Sequence, residues 1–145
     1  METIHPLLKV VEKQKKGIPV GICSICSANE LVIEAAMERF IKEDDFVFIE
    51  ATANQVNQYG GYTGMNPFEF SDFIYSIAQK VEFPKERIIL GGDHLGPIVW
   101  KMENSDVSMR KAEKLVRMAV TAGFTKIHID TSMHLADDNK DSKLE

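Results

Sequence analysis

The stretch Ile88-Ile89-Leu90-Gly91-Gly92-Asp93-His94-Leu95-Gly96-Pro97 decides how the rest of the chain is read. A short apolar run stops at two glycines, and an Asp-His pair follows. A parallel strand covered on both faces reads as such a run, and it delivers polar groups from its carboxyl end. The pattern therefore predicts a strand over 87–90, with Asp93 and His94 beyond its tip. Three other runs have the same form: 18–23 ahead of Ser24, 46–50 closing on Glu50, and 126–130 closing on Asp130.

Between these runs the apolar spacing changes to that of helices. Ile33, Ala36, Met37, Phe40 and Ile41 form one stripe at i, i+3, i+4, i+7, i+8, and Phe70, Phe73, Ile74, Ile77 and Ala78 form a second. A third covers about 107–122, with Ala112, Leu115, Val116, Ala119 and Val120 on one face. Ser27 with Glu30 predicts a capping box for the first of these helices. Asn66 followed by Pro67 and Glu69 predicts the start of the second. A short helix over 5–16, stopped at Gly17, precedes the first strand.

The order is β-α-β-α-β-α-β, an α/β class with four parallel strands and three intervening helices. Two architectures satisfy it: an open flavodoxin-like sheet, or the N-terminal half of a TIM (β/α)8 barrel. A barrel takes ~250 residues, so the second reading makes residues 1–145 a partial barrel domain. It leaves the first and fourth strands as sheet edges. The polar run from about residue 135 is expected to be poorly ordered.

The totals narrow the function. The 145 residues carry a formal charge of -5, which argues against a nucleic-acid partner. No apolar run approaches the ~18 residues of a membrane span, and the first residues lack the form of a secretory signal. The expected setting is the cytoplasm, with Cys23 and Cys26 as reduced, buried thiols. Their C-x-x-C spacing lacks a redox context and the second pair that structural zinc requires.

Chemistry is expected where the strand ends converge. Asp93 and Glu50 are the candidate catalytic carboxylates, and His94 is the candidate metal ligand. His128 shares a face with Asp130 and reads equally as a second ligand or a satisfied core histidine. The amide-rich loop from Thr52 to Met65 supplies Asn54, Gln55, Asn57 and Gln58, suited to sugar hydroxyls or to the loop's own backbone. Gly60 and Gly61 allow close approach of an anion. Asp130 and Ser132 complete the candidate substrate-binding set. The loop lacks the Gly-Lys-Ser/Thr ending of a nucleotide P-loop.

Four motifs, taken in order along nearly the whole chain, carry a resemblance: Gly-Ile-Cys-Ser-Ile-Cys-Ser-Ala-Asn, Glu-Ala-Thr-Ala-Asn-Gln-Val-Asn-Gln-Tyr-Gly-Gly-Tyr-Thr-Gly-Met, Gly-Gly-Asp-His-Leu-Gly-Pro and Lys-Ile-His-Ile-Asp-Thr-Ser-Met. The chain resembles the N-terminal portion of the D-tagatose-1,6-bisphosphate aldolase Z-type, non-catalytic subunit family, related to class II zinc aldolases. It departs at Ile98 and Val99, where that family carries Asn and Pro before the Trp. The resemblance implies a TIM barrel and a role in galactitol and tagatose metabolism. It further implies an accessory subunit that supports a catalytic aldolase partner, within an oligomer. Other relatives imply a metal-dependent sugar-phosphate enzyme, a fructose/tagatose 6-phosphate 4-epimerase or an aldolase; a tagatose-6-phosphate kinase fits least. By the same resemblance Asp93 matches a residue that assists proton transfer and His94 a zinc ligand. The remaining ligands come from later strands, so this chain alone is expected to be catalytically silent.

Overall fold

A computed structural model describes residues 5–43 and 45–139. Helix α1 (Pro6–Lys15) is followed by β1 (Ser24–Cys26), α2 (Glu30–Glu43), β2 (Val47–Thr52), α3 (Pro67–Lys80), β3 (Ile88–Leu95), α4 (Ser105–Thr121) and β4 (Lys126–Ile129). The strands pair in parallel, and their order across the sheet is β1-β2-β3-β4. A flavodoxin-like sheet places its first strand inside the sheet, between the second and third. Here β1 is an edge, so that alternative is excluded. Right-handed crossovers that step always in one direction put every helix on one side, and α2 packs on α3 and α3 on α4. This is the arrangement of consecutive (β/α)8-barrel units.

The core lies between the sheet and that helical layer. Val47, Ile49 and Ala51 of β2 and Leu90 of β3 meet Ile33 and Met37 of α2, Phe70, Ile74 and Ile77 of α3, and Leu115 and Ala119 of α4. Alternation along the strands then sends Ser24, Cys26, Phe48, Glu50, Thr52, Ile89, Gly91, Asp93, Lys126 and His128 to the opposite face. That second face is the polar one.

Several boundaries differ from those read in the sequence. The first strand is Ser24–Cys26 rather than 18–23, because Pro19 and Gly21 interrupt the apolar run and pairing with β2 starts only at Ser24↔Phe48. The expected Ser27–Glu30 capping box does not form. Helix α2 begins at Glu30, with Asn29 Oδ1 accepting from Val32 N at 3.2 Å and Ser27 Oγ accepting from Asn29 N at 3.1 Å. The capping box at Asn66 and Glu69 does form. Cys23 and Cys26 are exposed rather than buried, one just before and one within the edge strand β1. The third strand runs on to Leu95, so Asp93 and His94 stand inside it. The tail expected to be loose begins with a buried Leu135 and with Asp137 bonded to the start of α4. Residues 140–145 lie outside the described residues. No helix among the described residues is long and apolar enough to cross a membrane.

Candidate functional site

On the polar face the side chains form two tiers. The lower tier is built on the register Glu50↔Gly91↔Lys126 across β2, β3 and β4. Glu50 is 5% exposed; it pairs with Lys126 and accepts from Ser24 Oγ. Gly91 stands between the two charges, and its lack of a side chain lets them meet. A Cβ there would lie 2.9 Å from Glu50 Oε1 and 2.7 Å from Phe48 Cε2.

The upper tier follows from a β-bulge. Gly92 pairs with Ile127 and Leu95 with Ile129, so Asp93 and His94 together oppose the single residue His128. Plain alternation would turn His94 toward the helices and Leu95 toward the polar face. The bulge reverses both: Leu95 enters the core, and His94 takes a left-handed backbone with φ 51°. His94 Nδ1 then lies 3.0 Å from Asp93 Oδ1, and His128 Nδ1 lies 3.1 Å from the same oxygen. The two imidazole centroids are 4.2 Å apart with planes at 51°. Partial burial works to raise the Asp93 pKa, but the bonds from His128 and His94 outweigh it and hold the carboxyl below the ordinary range. Cys26 adjoins this tier, and partial burial of its thiol, followed by the charges of Asp93 and Glu50, pushes it up, away from the reactive thiolate.

The structure brings some of the expected residues together and engages others locally. Asp93, His94 and His128 form one cluster, with candidate ligand atoms within 4.8 Å of one another. Glu50 lies one tier deeper, occupied by Lys126 and Ser24. Asp130 accepts from Ser132 Oγ at 2.6 Å and Ser132 N at 2.9 Å, the first and second causes of its lowered pKa. Asn57 is buried, its Nδ2 donating to Ala53 O and its Oδ1 accepting from Tyr59 N. Gln55 Oε1 accepts from Thr52 N at 2.8 Å and from Cys26 Sγ at 3.5 Å. Gln58 Nε2 donates to Lys111 O. Asn54 is exposed, and its carbonyl accepts from Tyr62 N. Gly60 and Gly61 both take positive φ, and a Cβ on Gly61 would lie 2.3 Å from Gln55 O. The amides thus spend most of their bonding on the loop itself. A polar recess of about 410 Å³ remains beside it, lined by Cys26, Ser27, Asn29, Gln55, Tyr62 and Thr63.

Sequence reading missed Lys126, took Ser24 only as a strand-end group, and set His128 on a face with Asp130 without joining it to Asp93. The period-2 spacing of Lys126 and His128 was the available signal that both share the polar face. The bulge carried no signal beyond the doubled glycine.

The chain is similar to known proteins. The D-tagatose-1,6-bisphosphate aldolase subunit GatZ of Salmonella gallinarum is 55% identical over 130 residues, which is 90% of this chain and 31% of that protein. The Salmonella newport protein of the same name is 54% identical over the same lengths. A crystal structure of a protein from Sinorhizobium meliloti 1021, described as a probable tagatose 6 phosphate kinase, superposes with a TM-score of 0.80 at 57% identity. It covers 82% of this chain and 31% of its own. The chain thus spans about a third of the length of each of these relatives. The sequence model described as D-tagatose-1,6-bisphosphate aldolase subunit GatZ/KbaZ-like matches residues 7–145, and the chain belongs to that family.

Proposed function

We propose that this chain is the N-terminal part of a cytoplasmic, non-catalytic subunit of a class II tagatose-1,6-bisphosphate aldolase, acting in carbohydrate metabolism by supporting a catalytic partner subunit. The observation that carries this reading is the 55% identity, over 90% of the chain, to proteins named as that aldolase's GatZ subunit. The geometry agrees with a supporting role. Glu50 is buried and committed to Lys126 and Ser24, and Asn57 and Gln55 of the loop bond its own backbone. The test is co-expression with a catalytic class II tagatose-bisphosphate aldolase. Co-purification, with a higher activity and thermal midpoint for the partner, is expected. Cleavage of tagatose 1,6-bisphosphate by the 145-residue chain alone would overturn the reading.

A second reading is favoured by one observation, the Asp93–His94–His128 cluster. It makes the longer protein a metal-dependent sugar-phosphate enzyme, an epimerase or aldolase. Two imidazoles match the nitrogen donors that zinc takes, with a carboxylate beside them to orient a ring, so the residues present fit the metal. His94 would hold it. Bound there, it would polarise a ketose carbonyl. Asp93 would orient the imidazole and accept a proton at its carboxylate, and the recess beside the loop would seat sugar hydroxyls. Interconversion of fructose and tagatose 6-phosphates that requires metal would favour this reading over the first. A kinase is the least supported, because the glycine-rich loop has no lysine placed to meet a phosphate chain.

A further inference from the structure

We infer that His94 and His128 act as a pair, forming a two-imidazole ligand set for a divalent first-row metal, with Asp93 beside both rings and orienting that of His128. The inference rests on the metal-site reading of this cluster and extends it, since it assigns a second ligand to β4 within this chain.

Three observations carry it. The first is proximity to one carboxylate: both Nδ1 atoms lie within 3.1 Å of Asp93 Oδ1, and the His128 ring hydrogen-bonds it. With Nδ1–H of His128 donating there, its Nε2 keeps a lone pair for a metal, the usual division of labour between an imidazole ligand and its carboxylate. The second is the backbone. Left-handed φ at a residue with a Cβ is strained, and such strain persists where a site requires it. At His94 that strained backbone reverses the side chain's direction, and without the reversal the ring would enter the core. The bulge and the φ of 51° thus serve one outcome, two imidazoles beside one carboxylate. The third is access. The side chains of His94 and His128 are 55% and 46% exposed, so an ion reaches them from solvent. Among the described residues no other group of three His, Cys, Asp or Glu side chains has this proximity.

The experiment is a Co²⁺ titration of the 145-residue chain, read by visible d–d absorption and by calorimetry. It is repeated on His94→Ala, His128→Ala and His134→Ala. The pair predicts one Co²⁺ per chain, a loss of affinity of about tenfold or more in both His94→Ala and His128→Ala, and no change in His134→Ala. A second measurement needs no substitution: imidazole ¹⁵N resonances of the unaltered chain with Zn²⁺, where the Nε2 signals of both His94 and His128 should move together. If His94→Ala loses binding while His128→Ala keeps it, and only the His94 signal moves, the pair is refuted and a site on His94 stands. If neither metal binds the unaltered chain, the pair and the metal-site reading of these residues both fail.

Discussion

Replacing Gly91 by alanine tests the lower tier directly, because the usual expectation and the structural one have opposite signs. Gly91 does not occupy the left-handed region. A glycine-to-alanine change at such a position ordinarily stabilises a fold by about 0.4–1 kcal/mol, through the unfolded chain. Here the added methyl would sit 2.7 Å from Phe48 Cε2, 2.9 Å from Glu50 Oε1 and 3.0 Å from Glu50 Cγ. Phe48 and Glu50 are 4% and 5% exposed, so neither has free space to retreat into. Overpacking of this kind costs about 1–3 kcal/mol. If Glu50 is also pushed from Lys126, the cost approaches the 3–5 kcal/mol of a broken buried pair. Lys126 keeps 27% of its side chain in solvent, which places the expectation below that limit, at about 2–3 kcal/mol. Urea unfolding followed by circular dichroism, at constant m-value, reads the difference. The same substitution in a Glu50→Ala background should cost at least about 1 kcal/mol less, a coupling expected only for groups in contact. A Gly91→Ala chain as stable as the unaltered one, or more stable, would refute the account of Gly91 as the gap through which Glu50 and Lys126 meet.

Two further outcomes follow from particular residues. His94→Gly should be about 1 kcal/mol more stable than His94→Ala, since both lose the ring but only alanine retains the left-handed strain; equal urea midpoints would show that the φ carries no cost. Asp137 accepts from Ser105 N at 2.7 Å, Ser105 Oγ at 3.1 Å and Asn104 Nδ2 at 2.8 Å, and the bond from the Ser105 backbone is the leading cause of its lowered pKa. With the folded pKa below the unfolded one, its contribution is complete above about pH 4 and is lost as pH falls through the folded value. Asp137→Asn should therefore lower the urea midpoint at pH 6 and flatten its decline as pH falls below about 4, whereas an unchanged acid profile would count against the cap.

The alternation of strands and helices was legible because each element repeats its own period over enough residues to be distinct. The stripe from Phe70 to Ala78 and the Asn66 cap both appear where their spacing puts them. The site was legible to the extent that Asp93 and His94 adjoin in sequence. What joins His128 to them is a register slip in β3, set by how Leu95 packs and by the absence of a side chain on Gly92, where a Cβ would lie 2.4 Å from Leu95 Cδ1. Such a slip depends on tertiary packing and leaves no periodic trace. The apolar run at 18–23 misled for the opposite reason. It has strand composition, but Pro19 and Gly21 interrupt it and the ladder with β2 begins only at Ser24. Glu50 reads as a strand-tip acid in sequence, yet β2 continues two residues past it and encloses it in the lower tier.

The irregularity in β3 also sets regularity against chemistry in this fold. Deleting a single residue between Gly92 and Leu95 would restore an even ladder with β4 and give a sheet that is easier to form. The same deletion would leave one position facing His128 where two now stand, so either the carboxylate or the second imidazole would be gone. Engineering that straightens this strand for stability would therefore be expected to erase the cluster, and a shortened relative would keep the architecture while losing what the polar face offers an ion.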